Sequence, residues 1–340
     1  MQLTEWTRTT LGRSDVTIEV ASADASFRRY FRARSGAETW IVMDAPPEKE
    51  DVGPYIKVAE ILRASNLNAP RVVARNLESG YLLLSDLGGQ TYLTQLRDAD
   101  TQQIERLYED ALAALLQMQV ACTAHVQLSS DTPPAYDAAL LQREMELFPE
   151  WFLQRHLGLA IDDSLQQELN CVFRLLSDSA LEQPRVFVHR DFHSRNLMVT
   201  AGRYGTNPGV LDFQDAVMGP ITYDLVSLLR DCYIDWPLAS VRAWALGHRQ
   251  RALAVGLTAA VPEAQWLVWF DLMGIQRHLK AIGIFARLWH RDDKPGYLGD
   301  IPRTLGYIRS VATLYPQLKP LAELIELRVV PALSQLQVAT

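Results

Sequence analysis

The stretch Val186–Val199, VFVHRDFHSRNLMV, decides how this chain is interpreted. An apolar run leads into His189-Arg190-Asp191, and Asn196 follows Asp191 by five positions before a second apolar run begins. Short apolar runs of this kind are typical of buried strands. The sequence therefore predicts a polar loop that is fixed by a strand at each end.

A second carboxylate follows the next apolar run, at Asp212, twenty-one residues after Asp191. Phosphoryl transfer from ATP needs a carboxylate that accepts a hydrogen bond from the attacking hydroxyl. It also needs a carboxylate and an amide oxygen that hold Mg²⁺ on the phosphates. The spacing predicts Asp191 as the catalytic base, with Asn196 and Asp212 as metal ligands. Aspartates that merely cap turns are the alternative, which the full combination disfavours.

The rest of the chain divides into a strand-rich part and a helix-rich part. Five short strand patterns and one helical pattern fill residues 1–85, and a short hinge follows at about 85–89. Residues 86–340 are mainly helical, with patterns that include Thr222–Tyr233 and Pro262–Trp289. The sequence predicts an α+β fold. A small mixed β-sheet N-lobe would be followed by a larger, mainly helical C-lobe.

Composition excludes several classes of protein. The 340 residues carry a formal net charge of −7, which argues against a general nucleic-acid binder. No run of about 18 apolar residues could span a membrane, and the N-terminus lacks an apolar secretory core. Three widely spaced cysteines, Cys122, Cys171 and Cys232, fit neither a disulfide framework nor a CxxC metal site. We expect a cytoplasmic protein with a small-molecule substrate and no nucleic-acid, membrane or obligate protein partner.

The pattern resembles the kinase-like superfamily that includes aminoglycoside phosphotransferases and choline kinases. The resemblance covers nearly the whole chain and implies a two-lobed, protein-kinase-like fold with ATP and Mg²⁺ in the cleft between the lobes. Leu82–Gly89, LLLSDLGG, looks like the family's hinge, where Ser85 and Leu87 would offer a carbonyl and an amide to adenine. Asp224 is similar to the buried aspartate that opens a helix and braces the catalytic loop. An ordinary helix-start aspartate is an equally good interpretation of Asp224.

The chain departs from the superfamily on the third strand. Met43 stands where the family has a phosphate-binding lysine, so ATP use needs another cation. We expect one or two of Arg28, Arg29 and Arg32 to bind phosphate beside Ser26 in the glycine-free turn. A solvated strand edge is the alternative. Loss of the lysine also keeps open a pseudokinase-like binding module, against which the intact base and metal ligands weigh.

A closer similarity is to the anomeric sugar kinases of bacterial cell-wall recycling. It rests on His189–Asn196, Leu211–Tyr233 and Gln276–Leu288. This similarity implies phosphorylation of the C1 hydroxyl of N-acetylmuramate and N-acetylglucosamine to the α-1-phosphate. Another kinase of the superfamily, acting on an aminoglycoside or an amino alcohol, is the alternative.

Six polar residues are candidates for the sugar site, because they are near the catalytic residues in sequence or share one helix face. They are His193, Arg195, Gln214, Asp215, Arg277 and Lys280. His193 could instead only hold the loop. Arg277 and Lys280 fall on one helical arc and could face an anion, such as the lactyl carboxylate of N-acetylmuramate, or could form a solvated face. A polycationic aminoglycoside would require a carboxylate-rich pocket instead.

Overall fold

The computed structural model describes residues 3–23, 27–128, 132–200 and 202–339. Two compact units divide the chain. The first unit comprises Met1–Thr132 and Ser194–Ala216, and the second comprises Pro133–His193 and Val217–Thr340. The predicted hinge at 85–89 lies within the first unit. The chain passes from the second unit to the first between His193 and Ser194, inside the stretch that carries the candidate catalytic residues.

A five-stranded sheet with the order β1-β2-β3-β5-β4 forms the centre of the first unit. Its strands are β1 (Thr17–Ala23), β2 (Arg29–Ser35), β3 (Glu38–Asp44), β4 (Val72–Asn76) and β5 (Tyr81–Ser85). Ala33, Val42 and Leu83 pack one face against Trp6 of helix α1 (Leu3–Leu11). Met43 is fully buried on β3, in register with Tyr30 on β2.

All four strand pairs of this sheet are antiparallel, whereas the sequence predicted a mixed sheet. The reason is that helix α2 (Gly53–Ala64) does not return the chain to a parallel neighbour of β3. The strand after α2 is the outer one, and the hairpin that follows brings β5 back beside β3 in the antiparallel sense.

Short helices and one small ladder complete the first unit. The helices are α3 (Tyr92–Leu96), α4 (Thr101–Gln117) and α5 (Thr123–Gln127), with a π-helical segment Met118–Cys122 between the last two and a 3₁₀ turn at Gly202–Tyr204. Asp100 caps α4 in a capping box with Gln103. Strand β7 (Leu197–Met198) pairs with β8 (Gly209–Val210). Asn196 directly precedes β7 and Asp212 follows β8, so the pairing of the two strands brings these two predicted metal ligands together.

Helices dominate the second unit. They are α6 (Ala138–Met145), α7 (Asp163–Leu181), α8 (Tyr223–Leu229), α9 (Leu238–Ala254), α10 (Glu263–Asp292), α11 (Ile301–Ala312), α12 (Lys319–Leu324) and α13 (Val330–Ala339). Shorter π-helical or 3₁₀ segments are Phe148–His156, Pro295–Asp300, Pro316–Leu318 and Ile325–Val329. Helix α10 is the centre, and α6, α7, α8, α9 and α11 all pack on it.

A two-stranded ladder lies beside these helices, where β6 (Arg185–Val188) pairs antiparallel with β9 (Val217–Pro220). No helix among the described residues is both long enough and apolar enough to cross a bilayer. The α+β prediction, a small sheet followed by a mainly helical remainder, is confirmed.

Candidate active site

The His-Arg-Asp loop follows β6 and is held by Asp224 at the start of α8. The Asp224 carboxylate accepts hydrogen bonds from the backbone N–H groups of His189, at 2.6 Å, and Arg190, at 3.0 Å. Arg190 has φ +78°, an unfavourable conformation for a residue with a side chain. The two bonds stabilise this turn, so Asp224 sets the backbone direction into Asp191. Burial raises the pKa of Asp224 to about 7, although both N–H donors oppose the shift.

A buried carboxylate, Glu144 on α6, holds the same loop by its side chain. Glu144 forms an ion pair with Arg190, and its Oε1 lies 2.9 Å from Nζ of Lys280. Tyr136 donates its hydroxyl to Glu144, and Gln276 donates to Tyr136 at 3.0 Å. Burial tends to raise the pKa of Glu144, but Lys280 and Arg190 outweigh it and hold that pKa below its usual value. Glu144 is therefore an ionised link between the catalytic loop and α10.

Asp191 lines an open cavity of about 100 Å³ in the second unit. The lining includes Asp191, His193, Tyr233, Arg277, Lys280 and Phe285. The wall combines polar groups with three aromatic rings, those of Tyr223, Tyr233 and Phe285, a composition that suits a sugar, since a sugar has an apolar face and hydroxyl edges.

The charge state of Asp191 follows from this wall. Burial alone would raise the pKa of Asp191, but the positive charges of Lys280, His193 and Arg277 hold it below its ordinary value. Asp191 is consequently an ionised carboxylate at neutral pH. An ionised carboxylate can accept a hydrogen bond from a substrate hydroxyl and orient it.

The two metal-ligand candidates lie together in the first unit. Asn196 Nδ2 is 3.4 Å from Asp212 Oδ2, and the backbone N–H of Leu211 donates to the carbonyl of Asn196 at 2.9 Å. Asp212 has φ +61°, and the ring of the next residue, Phe213, packs on Tyr55 with centroids 4.8 Å apart. The β7–β8 ladder and this ring contact thus fix the Asp212 turn from both sides.

The donor set at Asn196 and Asp212 fits Mg²⁺. An amide oxygen and a carboxylate are hard oxygen donors, and Mg²⁺ takes few protein ligands, leaving the others to phosphate oxygens and water. Within the described ranges, no group of three or more His, Cys, Asp or Glu side chains could hold a metal ion. Gln214 Nε2 donates to Asp212 at 3.0 Å and to Asp215 at 3.2 Å.

The three candidate phosphate-binding arginines have different neighbours. Arg28 Nη2 lies 3.4 Å from Asp212 Oδ1. Arg29 forms an ion pair with Asp44 at the end of β3. Arg32 is bound to the Asp86 carboxylate, with its Nε 2.8 Å from Oδ2. Arg28 is therefore the arginine placed beside a predicted metal ligand.

The hinge segment is held by Arg32 as well. Its Nη2 donates to the Gly88 carbonyl at 2.7 Å. Ser85 ends β5, and its Oγ accepts a hydrogen bond from the Arg71 N–H at 2.8 Å. Leu87 is buried. Ser26 lies outside the described residues.

The sequence-predicted sugar residues fall into two groups. His193, Arg277 and Lys280 line the cavity with Asp191. Arg195, Gln214 and Asp215 belong to the first unit. Several residues of the second unit were not singled out as site residues, among them Glu144 and the cavity-lining Tyr223, Cys232 and Phe285. Glu144 has no sequence signal, because its partners are far away along the chain. For Tyr223, the sequence signal for a place in the site is its position next to Asp224.

The sequence is similar to several known proteins. Residues 17–264 match the profile of the APH phosphotransferase enzyme family. An N-acetylmuramate/N-acetylglucosamine kinase of Pseudomonas aeruginosa is 47% identical over 90% of this chain and 86% of its own length. A protein of the same name from Neisseria meningitidis serogroup B is 43% identical over 96% of this chain and 95% of its own. The resemblance to the kinase-like superfamily and its anomeric sugar kinases is confirmed.

Solved structures share the fold at low sequence identity. An ADP-bound aminoglycoside phosphotransferase gives a TM-score of 0.58 at 14% identity, covering 90% of this chain and 96% of its own. An ethanolamine kinase of Plasmodium vivax gives 0.60 at 14% identity, covering 90% and 84%. These likenesses confirm the kinase-like fold.

Proposed function

Because this chain belongs to the phosphotransferase enzyme family, we propose that it transfers the terminal phosphate of ATP to the anomeric C1 hydroxyl of N-acetylmuramate and N-acetylglucosamine. The products are the sugar α-1-phosphate and ADP. The observation that carries the substrate choice is the similarity, over nine-tenths of the chain, to relatives named as kinases of these two sugars. The reaction belongs to peptidoglycan recycling in the cytoplasm, where ATP is available.

Asp191 is the base in this proposal. Its carboxylate accepts a hydrogen bond from the C1 hydroxyl and orients the oxygen toward the phosphate. An anomeric hydroxyl is more acidic than an ordinary alcohol, so an ionised carboxylate with a low pKa is basic enough. Asp224 and Glu144 hold the loop that carries Asp191, which limits the motion of the carboxylate. Catalysis of this kind depends mainly on positioning.

Nucleotide binding is assigned to the strand-rich residues 1–85 and the hinge. Ser85 and Leu87 offer backbone groups to the base, and Ser26, Arg28, Arg29 and Arg32 are the phosphate-binding candidates. Arg28 leads this set, since its position beside Asp212 supports a role at the phosphates in place of the lysine missing at the Met43 position. Asn196 and Asp212 would hold Mg²⁺, which when bound neutralises negative charge on the phosphates.

Sugar binding is assigned to the larger part of the chain, residues 86–340. His193 and Lys280 line the cavity, which supports contacts of both side chains with the sugar. Arg195, Gln214 and Asp215 are the further candidates for its hydroxyls. The two cationic side chains in the cavity wall disfavour a polycationic aminoglycoside, because like charges would meet.

A coupled ADP-release assay tests the substrate class. We expect turnover with N-acetylmuramate and N-acetylglucosamine, and none above background with kanamycin, gentamicin or choline. Phosphorus NMR of the product should show a phosphate on C1 in the α configuration. Turnover of an aminoglycoside or an amino alcohol, with a flat response to both sugars, would replace the proposed substrate.

The role of Asp191 is tested by Asp191→Asn. We expect kcat to fall by at least about 10³-fold, since the base is lost, while calorimetric affinity for Mg·ATP changes little. Asp178→Asn, an exposed aspartate on α7, is the matched control. Full activity of Asp191→Asn would remove the base assignment. Absence of metal-dependent ATP binding to the wild-type protein would favour the pseudokinase-like module.

A further inference from the structure

Helix α10 places two positively charged side chains in the wall of the sugar cavity, less than one turn apart. Arg277 and Lys280 are both buried. Lys280 has a counter-ion, because its Nζ lies 2.9 Å from the Glu144 carboxylate, and it donates to the Tyr223 hydroxyl at 3.0 Å. The two cations are therefore not equivalent.

Arg277 lacks such a partner. Arg277 is only 5% exposed, and its Nε is buried without a hydrogen-bond partner. The contact of Nη1 is with Cys232 Sγ at 3.8 Å, and a thiol is a weak acceptor. In the described part of the chain no carboxylate forms an ion pair with this guanidinium, although Asp191 and Asp231 are close enough to favour its charged form.

A buried guanidinium N–H without a hydrogen-bond acceptor is costly, and arginine cannot relieve the cost by losing its proton. An anion that enters the cavity with a ligand would supply an acceptor. A guanidinium presents a planar fork of N–H donors that matches a carboxylate by two parallel hydrogen bonds. N-acetylmuramate is N-acetylglucosamine with a lactyl ether, and the carboxylate of that ether is the difference between the two sugars.

We propose that Arg277 is the receptor for the carboxylate of the sugar acid, and hence the residue that sets the preference for N-acetylmuramate over N-acetylglucosamine. The inference rests on the proposed function and refines the sequence-based interpretation, which gave Arg277 and Lys280 the same role. Binding of the neutral sugar leaves Arg277 Nε buried without a hydrogen-bond acceptor, whereas binding of the acid supplies one. A site that contains an unpaired buried group discriminates against the ligand that leaves it unpaired.

The test compares the two sugars in Arg277→Gln, Arg277→Lys and the control Arg291→Gln. Arg291 is on the same helix but is exposed and paired with Asp292 at 2.8 Å. The measured quantity is the ratio of kcat/KM for N-acetylmuramate to that for N-acetylglucosamine. We expect this ratio to fall about 30-fold in Arg277→Gln, as for loss of a charged hydrogen bond, and less in Arg277→Lys. Arg291→Gln should keep the wild-type ratio.

A second measurement uses wild-type enzyme and therefore does not depend on the folding of a variant. The methyl ester of N-acetylmuramate keeps the lactyl group but lacks the charge, and its kcat/KM should fall to near or below that of N-acetylglucosamine. An ester as good as the acid, or an equal loss for both sugars in Arg277→Gln, overturns the role of Arg277 and leaves the proposed function intact. If wild-type enzyme phosphorylates neither sugar, the proposed function fails, and this inference fails with it.

Discussion

Lys280 Nζ lies 2.9 Å from the carboxylate of Glu144, and the same buried carboxylate pairs with Arg190, the residue that precedes the proposed base. One side chain on α6 thus neutralises a cation of the sugar cavity and a cation of the catalytic loop. Both partners are mostly buried, so solvent screens these pairs much less than surface pairs. The position of Asp191 therefore depends on Glu144 as well as on Asp224.

Glu144→Gln keeps the shape of the side chain and removes its charge. Two buried cations lose their shared anion, which leaves them uncompensated. We expect the free energy of unfolding to fall by about 3–5 kcal/mol, measured by urea denaturation. Glu146→Gln changes an exposed glutamate beside the end of the same helix and should cost less than about 0.5 kcal/mol. Equal effects of the two substitutions would contradict the structural role of Glu144.

Lys280→Met should change the pH dependence of catalysis. Burial raises the pKa of Asp191, and Lys280 is the strongest of the charges that lower it below its usual value. Without that charge the pKa of Asp191 rises, so the base becomes protonated at a higher pH. The acidic limb of the kcat/KM profile should shift toward neutral pH, with N-acetylglucosamine as the substrate. Arg291→Gln, which removes an exposed charge from the same helix, should leave the limb in place.

Arg28→Ala tests the cation that we assign to the phosphates. We expect KM for ATP to rise by about 10-fold or more, because a charge-assisted contact to a phosphate is lost. Arg34→Ala is the matched control. Arg34 lies on β2, which begins directly after Arg28, and it pairs with exposed Glu19. An unchanged KM for ATP in Arg28→Ala would transfer the role to Arg29 or Arg32, whose variants complete the comparison.

Local patterns in the sequence were sufficient for much of the fold. The strands of the first unit and the long helix α10, predicted as Pro262–Trp289 and observed as Glu263–Asp292, follow from the spacing of apolar residues. The strand β9 was not predicted, because its Gly-Pro pair resembles a turn. β9 forms because it pairs with β6, which is distant in sequence, and a local pattern does not indicate such a pairing.

One helix prediction was wrong at its end, and the difference matters for the cavity. The helical pattern extends to Tyr233, but α8 ends at Leu229. Arg230 is turned into the interior, where it pairs with Asp271 of α10, and its carbonyl accepts a hydrogen bond from His278 at 2.9 Å. These contacts end the helix, and the following segment contributes Cys232 and Tyr233 to the cavity. Residues far apart in sequence determine this outcome, so no local pattern could indicate it.

Asp224 gives the folded protein a specific pH dependence. Burial raises the pKa of Asp224 to about 7, whereas an unfolded aspartate titrates near about 3.9. Between about pH 4 and about pH 7 the folded state holds a proton that the unfolded state has released, so this group makes the free energy of unfolding fall as pH rises. Above the folded-state pKa the contribution is constant.

Asp224→Asn removes that titration and replaces it with a constant loss of hydrogen bonding to the His189 and Arg190 amides. The difference in unfolding free energy, wild type minus variant, should therefore decrease from pH 5 to pH 7.5. Urea denaturation followed by tryptophan fluorescence measures it at each pH. Asp178→Asn, on the exposed face of α7, should give a difference that does not change over this range. A pH-independent difference for Asp224→Asn would mean that Asp224 is ionised throughout, with its two backbone N–H donors outweighing burial.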